Sequence, residues 1–334
     1  MRSFPRFLVS LLFVLGLLAT GMANANGSRC ERPRLKTAQS LPVAAPGEVT
    51  VATQNLWRLF DDVDNGGEVA TPEKYRLKLG KLAHQLVDVL QVPDVVAVQE
   101  AENQAVLRAL AAEVARQSGR RPYQAILVEG QDPGGIDVGF LVRPDWKVQS
   151  VTPLLAGLRM DGKPLFDRPP LHLVVLDDKG GKLELINVHL KSLRGSDKPA
   201  KALKIAEKRR QQAAALAGWW RQYQQAHPLA QVLMLGDFNA TPEVLGNVDV
   251  LGKLQAAGLS MLGQRLPEAE RYSYVFQCRP DLIDNILASP ALVLRVSSVR
   301  ASRGNADAHR SMVKVTDSAV GSSDHDALLV YLRR

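Results

Sequence analysis

After residue 25 the sequence has no apolar run long enough to cross a membrane, so the bulk of the chain contains no spanning helix. It has no internal repeat and no linker that would divide it, so it reads as one large domain. Cysteine is scarce: Cys30 and Cys278 are the only two, and at most one internal disulfide can form. Pairing would tie the N-terminal segment to a late one, and two buried thiols are the alternative. A lipid-anchored Cys30 is disfavoured, because Ser28 and Arg29 precede it instead of small apolar residues. Acidic residues are outnumbered, 34 to 42, giving a formal charge of +8. That balance favours a polyanionic partner or surface, though only weakly.

The first 25 residues read as a secretion signal. Arg2 and Arg6 supply a positive start, Phe7 to Leu18 an apolar run, and Ala23-Asn24-Ala25 a small-x-small cleavage site. The run is too short for a comfortable membrane span. Cleavage after Ala25 removes two arginines and no acid, so the charge falls from +8 to +6. The expected location is secreted or periplasmic, with no stable membrane anchor left behind. The expected organisation is a signal peptide (1–25), an extended proline-bearing lead-in (26–47) and one domain (48–334).

The rest of the chain is organised around Val232-Leu-Met-Leu-Gly-Asp-Phe-Asn-Ala-Thr-Pro242. Val232 to Leu235 fit a short buried strand that Gly236 ends. Residues i and i+2 of an extended chain point to one side, so Asp237 and Asn239 project together while Phe238 turns inward. A carboxylate beside a carboxamide suits divalent-metal phosphate chemistry. The carboxylate holds a metal or steers a water, and the amide donates to phosphate oxygen without adding repulsive charge. Thr241-Pro242 then reads as a helix start.

Taken in order, Glu48 to Leu56 alternates as a strand and carries Asn55 near its end. Asp62, Asp64, Gly67 and Glu73 fall at calcium-loop positions. Gly66 spoils the fifth position and no helix obviously precedes, so a solvated turn is the better reading and structural Ca²⁺ the alternative. Thr71-Pro72-Glu73 opens a helix with Tyr75, Leu79, Leu82, Leu86 and Val89 on one face. Val95 to Val98 is a buried strand with Glu100 at its end. A helix follows from about Asn103 to Ser118, then a strand from Ile136 to Val142 with Asp137 at its start. Leu171 to Leu176 and Leu183 to Val188 form a hairpin, with Arg168 before it and His189 after it. A long helix runs to about Gln225, and its Lys201, Lys204 and Lys208 share one face that reads as solvated. Strands at Ser273 to Phe276 and Leu282 to Ala288 follow, with Asp284 in the second. Val299 to Val320 reads as loop. Asp324-His325 precede a last strand, Ala327 to Leu332.

Asn55, Glu100, His189, Asp237, Asn239, Asp284, Asp324 and His325 therefore all lie near strand ends. Singly each is weak evidence; the ordered set is strong. Gln54-Asn55-Leu56, Val98-Gln99-Glu100, Ile136-Asp137-Val138, Asn187-Val188-His189-Leu190, Gly236-Asp237-Phe238-Asn239, Leu282-Ile283-Asp284 and Ser323-Asp324-His325 together resemble the endonuclease/exonuclease/phosphatase superfamily. Val98 to Asn103 and Asp132 to Asp137 are most similar to its bacterial secreted endonuclease branch.

The resemblance implies a four-layered α/β sandwich, two mixed sheets packed face to face with helices outside. It implies Glu100 as the main Mg²⁺ ligand (Mn²⁺ being the substitute), with Asn55 beside it and Asp324 supporting. Asp237 would activate or position the attacking water, and Asn239 would hold the phosphate. Asp284 would orient His325. His189 would contact the phosphate and protonate the leaving oxygen, Asp137 would orient His189, and Arg168 would bind phosphate. A carboxylate behind each histidine is expected to raise its pKa. Two positions depart from the family pattern. Asp326 replaces an apolar residue or proline, so altered access is expected there, and Asn285 replaces an aromatic or histidine.

The implied activity is a secreted Mg²⁺-dependent phosphodiesterase acting on nucleic acid, first of all a DNA endonuclease, and monomeric. The alternative is a phospholipid such as sphingomyelin, or a soluble phosphoester. Aromatics are 5% of the sequence, and it contains no aromatic-rich hairpin of the kind lipid-cleaving members expose. A binding module with decayed catalysis would lack a catalytic residue, and none is missing.

Overall fold

The computed structural model describes residues 34–64, 68–241 and 248–334. The segment read as a secretion signal, Cys30, three residues of the acidic loop and Pro242, where a helix start is expected, lie outside that range. Strand β1 (Glu48–Leu59) leads into helix α1 (Pro72–His84), which continues as a π-helical turn over Gln85–Val89. Strand β2 (Val95–Ala101), helix α2 (Gln104–Ser118), β3 (Gln124–Leu127), β4 (Asp137–Val142) and β5 (Lys147–Pro153) complete the first half. A small ribbon, β6 (Arg159–Met160) and β7 (Lys163–Pro164), precedes the hairpin of β8 (Leu171–Leu176) and β9 (Lys182–His189). Helix α3 (Pro199–Ala226), β10 (Val232–Asp237), α4 (Val250–Gln255) and β11 (Ser260–Met261) follow. A second ribbon, β12 (Tyr274–Phe276) and β13 (Arg279–Asp281), leads to β14 (Asp284–Ala288), β15 (Val296–Ala301) and β16 (Leu328–Arg333).

The helices start where local chemistry allows. The Thr71 hydroxyl accepts from the Lys74 amide at 3.4 Å, with Pro72 in the first turn. The Asn103 carboxamide caps α2 through the Ala105 and Val106 amides, and Gly119 ends it at φ 67°.

Two six-stranded sheets result, ordered β15-β16-β1-β2-β4-β3 and β11-β14-β10-β9-β8-β5. Period-two alternation divides each strand between two layers. Val49, Val51, Val95, Ala97, Leu183, Leu185, Leu233 and Leu235 fill the core between the sheets. Their neighbours Ala52, Val96 and Val98 pack outward under α1 and α2. On the other side Ile186, Val188, Val232 and Met234 pack under α3 and α4. Helices, sheet, sheet and helices therefore form the expected four-layered sandwich, with all three interlayer spaces filled by apolar side chains.

Several expectations change. β1 runs on to Leu59, past the expected end at Leu56, so a strand enters the acidic loop, in keeping with the reading of a turn that no helix precedes. The segment read as loop from Val299 opens with β15, which pairs β16. β3 and β5 were not expected; both are edge strands, where a short or polar sequence carries little periodicity.

One buried charge supports the second sheet. Burial alone would raise the Glu184 pKa, but bonds from His172, Lys182 and Tyr223 outweigh it and hold the carboxyl at about 2. A carboxyl depressed from 4.5 to about 2 on folding contributes stability above 4.5 and loses it as pH falls through about 2. Glu184→Gln should therefore cost on the order of 2 kcal/mol at neutral pH. In urea melts the gap from wild type should close between pH 4.5 and about 2. A gap independent of pH would show that the charge contributes nothing.

Candidate active site

The face that fills the inter-sheet core turns polar at one end of the strands. On β1 the inward positions Val49 and Val51 give way to Thr53 and Asn55; on β9, Leu183 and Leu185 give way to Asn187 and His189. On β10, Leu233 and Leu235 give way to Asp237. Register then brings the ends together: Asp237 lies opposite His189 on one side and Asp284 on the other. Beneath them Asn187 staples the sheets, accepting from Gln99 at 2.8 Å and donating to the Val98 and Gly139 carbonyls at 2.8 Å. These buried polar groups satisfy one another, so the floor of the site is rigid.

Gly236 permits this convergence. It sits at φ 136°, and a Cβ there would lie 2.1 Å from the Val188 carbonyl oxygen. Gly236→Ala should cost about 3 kcal/mol, the upper end for overpacking, because the obstacle is backbone. A urea midpoint unchanged from wild type would refute that assignment of the glycine.

Glu100 ends β2 at φ 64°, an unusual conformation for a side chain-bearing residue. Its Oε1 accepts from Asn55 Nδ2 at 3.2 Å and its Oε2 from the Arg58 amide at 2.9 Å. Asn55 Nδ2 also reaches Asp237 Oδ2 at 3.2 Å. His189 Nε2 lies 3.6 Å from that same Asp237 oxygen and 3.9 Å from Glu100 Oε1. The Asn239 amide donates to Asp237 Oδ1 at 2.8 Å, and its side chain donates to the Leu190 carbonyl at 3.1 Å. Asp284 Oδ2 accepts from His325 Nδ1 at 2.7 Å, which leaves Nε2 facing outward, 3.9 Å from Asp324 Oδ1. One carboxyl oxygen or ring nitrogen from each of Asp237, Asp284 and His325 falls within 4.8 Å of the others.

The electrostatics divide the two histidines. Burial pulls His325 down, but Asp284, Asp324 and Asp237 outweigh it and hold the imidazole well above its ordinary range. It is therefore cationic at neutral pH. His189 is buried beside Arg168, His325 and Lys191, and is held well below its ordinary range. The expectation of a carboxylate behind each histidine fails here. His189 Nδ1 is buried and has no hydrogen-bond partner among the described residues. Asp137, expected to orient it, instead accepts from the Gly130 amide at 2.8 Å, and burial pushes it up to about 6. Asp237 is pushed up to about 7 by burial and by Asp284, with His325 opposing.

Arg168 does lie beside His189, donating to its carbonyl at 3.4 Å, but its charge is paired with Asp132 at 3.2 Å. Asp326 does not alter access: it is 1% exposed and accepts from the Asn305 and Ala306 amides, with Arg303 at 3.1 Å. Asn285 is buried and donates to the Leu282 carbonyl. Lys201 and Lys204 are exposed, but Lys208 is paired with Asp167 at 2.7 Å and leaves the stripe.

Sequence reading missed two neighbours. Tyr274 bridges His325 through the backbone, with ring centroids 4.8 Å apart. Lys78 donates to the Ser322 carbonyl at 2.6 Å and lies 4.7 Å over the Trp57 ring. Tyr274 stands in an apolar-looking strand and Lys78 among ordinary helix lysines, so only their tertiary neighbours reveal them.

The donor set suits a hard divalent ion. Glu100 offers two carboxylate oxygens, each taking one N–H, and Asp324, whose charge reaches Glu100, adds carboxylate oxygen. Asn55, expected as a ligand, turns its amide nitrogen to Glu100 while its oxygen accepts from the Trp57 amide at 2.8 Å, so here it positions the carboxylate. The alternative trio of Asp237, Asp284 and His325 is less apt, because its shortest contact is a proton-bearing bond a metal would have to displace.

A four-layered sandwich with carboxylates, a carboxamide and two histidines at one end of its central strands defines a metal-dependent phosphoesterase architecture. The chain belongs to the Endonuclease/Exonuclease/phosphatase family, whose profile matches residues 52–325. Among curated proteins none matches the sequence significantly. Solved structures similar in fold include humanized D. rerio TDP2, at TM-score 0.55 and 19% identity over 86% of this chain and 100% of that one. The human nocturnin catalytic domain with bound sulfate aligns at TM-score 0.55 and 15% identity, covering 86% and 95%. D. rerio TDP2 complexed with single-strand DNA product aligns at TM-score 0.54 and 17% identity, covering 86% and 99%. At such identities the likeness is one of fold.

Proposed function

We propose that this chain is an exported, Mg²⁺-dependent nuclease that hydrolyses phosphodiester bonds of DNA, by internal cleavage. One observation carries the reading: a poised carboxyl, Asp237, stands between a cationic His325 and a neutral His189, with Glu100 across from it. Support for DNA comes from the basic composition and from the similar fold that holds a single-strand DNA product. The reading of export rests on the N-terminal sequence alone.

In this reading Glu100 and Asp324 would hold the metal, with Asn55 positioning the Glu100 carboxylate. The ion supplies Lewis-acid charge at the phosphoryl oxygen. Asp237, ionised above about 7, accepts a proton from the attacking water. The His325 cation, fixed by Asp284, stabilises negative charge that develops on phosphate oxygen. His189 is neutral before substrate binds, so it donates through Nε2 and does not begin as a charged acid. The Asn239 amide group lines the same edge and adds a donor without charge.

Purified mature protein incubated with plasmid DNA, RNA and sphingomyelin, with and without chelator, tests this. Nicked and then linear plasmid, abolished by chelator, is the expected result. Turnover of sphingomyelin with intact plasmid would overturn the nuclease reading in favour of a lipid phosphodiesterase.

A further inference from the structure

Lys81 is one of the largest fully buried side chains, 2% exposed, on the face of α1 that looks toward the C-terminal third of the chain. Its ammonium meets four backbone carbonyls: Met312, Val315 and Ser318 at 2.9 Å and Val320 at 2.7 Å. An ammonium has three protons, so four carbonyls around it amount to coordination of a cation rather than a set of discrete hydrogen bonds. Carbonyl oxygens replace an ion's hydration shell in the same manner in potassium filters.

The segment that supplies them has little else to hold it. From Ser311 to Asp317 its side chains are mostly exposed, and even Val313 and Val315 turn outward, 36% and 38% exposed. Its only regular structure is a 3₁₀ turn over Arg310–Lys314. Apart from Ala319 and Val320, which are buried, the loop has no apolar core, and inward carbonyls are costly unless they find a partner. The same segment runs directly into Gly321, Ser322, Ser323, Asp324 and His325. One turn earlier on α1, Lys78 takes the Ser322 carbonyl, and the Ser323 hydroxyl continues the tie by donating to the Asn55 carbonyl at 2.7 Å.

The geometry points to Lys81 as a tethered internal cation, a positioning residue that organises the Met312–Val320 loop and through it sets Asp324 and His325 in register. Its side chain occupies a carbonyl cage that would accept a free monovalent cation of ammonium or potassium size once the tether is removed. The activity arm of the test rests on the phosphodiesterase reading; the stability and exchange arms do not.

Lys81→Met keeps length and removes the charge. Hydrogen exchange should accelerate in the 312–326 segment and not in α2 or the central strands, and the melting temperature should fall. Phosphodiester kcat should drop on the order of 10²-fold with little change in KM, the scale of a catalytic group displaced by about 1 Å. Lys81→Ala opens the cage. Ammonium or potassium chloride should restore its melting temperature and kcat more than choline chloride at equal ionic strength. Wild-type exchange and melting temperature in Lys81→Met would overturn the proposal, and so would equal responses of Lys81→Ala to all three salts. If Lys81→Ala does not fold, the Lys81→Met exchange pattern decides. If wild type hydrolyses no phosphodiester, the functional reading falls, while exchange and salt-dependent melting still judge the cage.

Discussion

His325→Ala should lose on the order of 10²–10⁴-fold in phosphodiester hydrolysis, and no concentration of Mg²⁺ should restore it. The imidazole is held by Asp284 at 2.7 Å and kept cationic by three surrounding carboxylates. What it offers the transition state is a fixed positive donor, and added metal cannot occupy that place. Glu100→Gln should behave differently. It keeps the shape but only one of the two bonds that Asn55 Nδ2 and the Arg58 amide donate, since a glutamine has one acceptor oxygen, and it removes the ligand charge, so the metal binds more weakly. Part of the lost rate should return as Mg²⁺ is raised. A titration of both variants against one small phosphodiester, with circular dichroism to confirm folding, separates the roles. Recovery of His325→Ala by metal, with none for Glu100→Gln, would mean the roles are reversed.

Asp237→Asn is expected to lose a similar factor for a different reason. The carboxyl is buried and close to Asp284, and its pKa is pushed up to about 7. A base must be ionised to take a proton, so wild-type kcat should climb about tenfold per pH unit below 7 and flatten above it. The amide accepts no proton at any pH. Its residual rate should be 10²–10⁴-fold lower, on the usual scale for a positioned base, and that acid limb should be gone. A variant that kept both the limb and the rate would place the base elsewhere.

Most of the architecture was legible because burial and periodicity coincide in the central strands. Val232 to Leu235 and Val95 to Val98 are continuous apolar runs, since both their faces are covered. The strand-end positions of Glu100, His189 and Asp237 were legible for the same reason: the polar residue marks where the apolar run stops. Edge elements were not legible. β5 alternates between half-buried and exposed positions and carries no apolar stripe, and β15 begins inside a polar stretch.

The relation between Asp137 and His189 was misread because adjacency in a motif does not fix which side chain a carboxylate meets. Asp137 turned to the Gly130 amide, and His189 Nδ1 was left without a partner among the described residues. The charge of His189 followed from that. Lys78, Lys81 and Tyr274 were invisible for another reason. Each acts on a segment more than forty residues distant in sequence, and none breaks the local pattern of its own helix or strand.

In the proposed mechanism water activated at Asp237, and no protein side chain, attacks phosphorus. Single-turnover hydrolysis of a short DNA duplex in ¹⁸O-water, with mass analysis of both product ends, tests it most directly. One ¹⁸O atom in the new phosphate end and none in the new hydroxyl is the expected result. Unlabelled phosphate in the first turnover would mean that a carboxylate oxygen of the protein had attacked, and label in the hydroxyl would mean that carbon had been attacked; either contradicts the account.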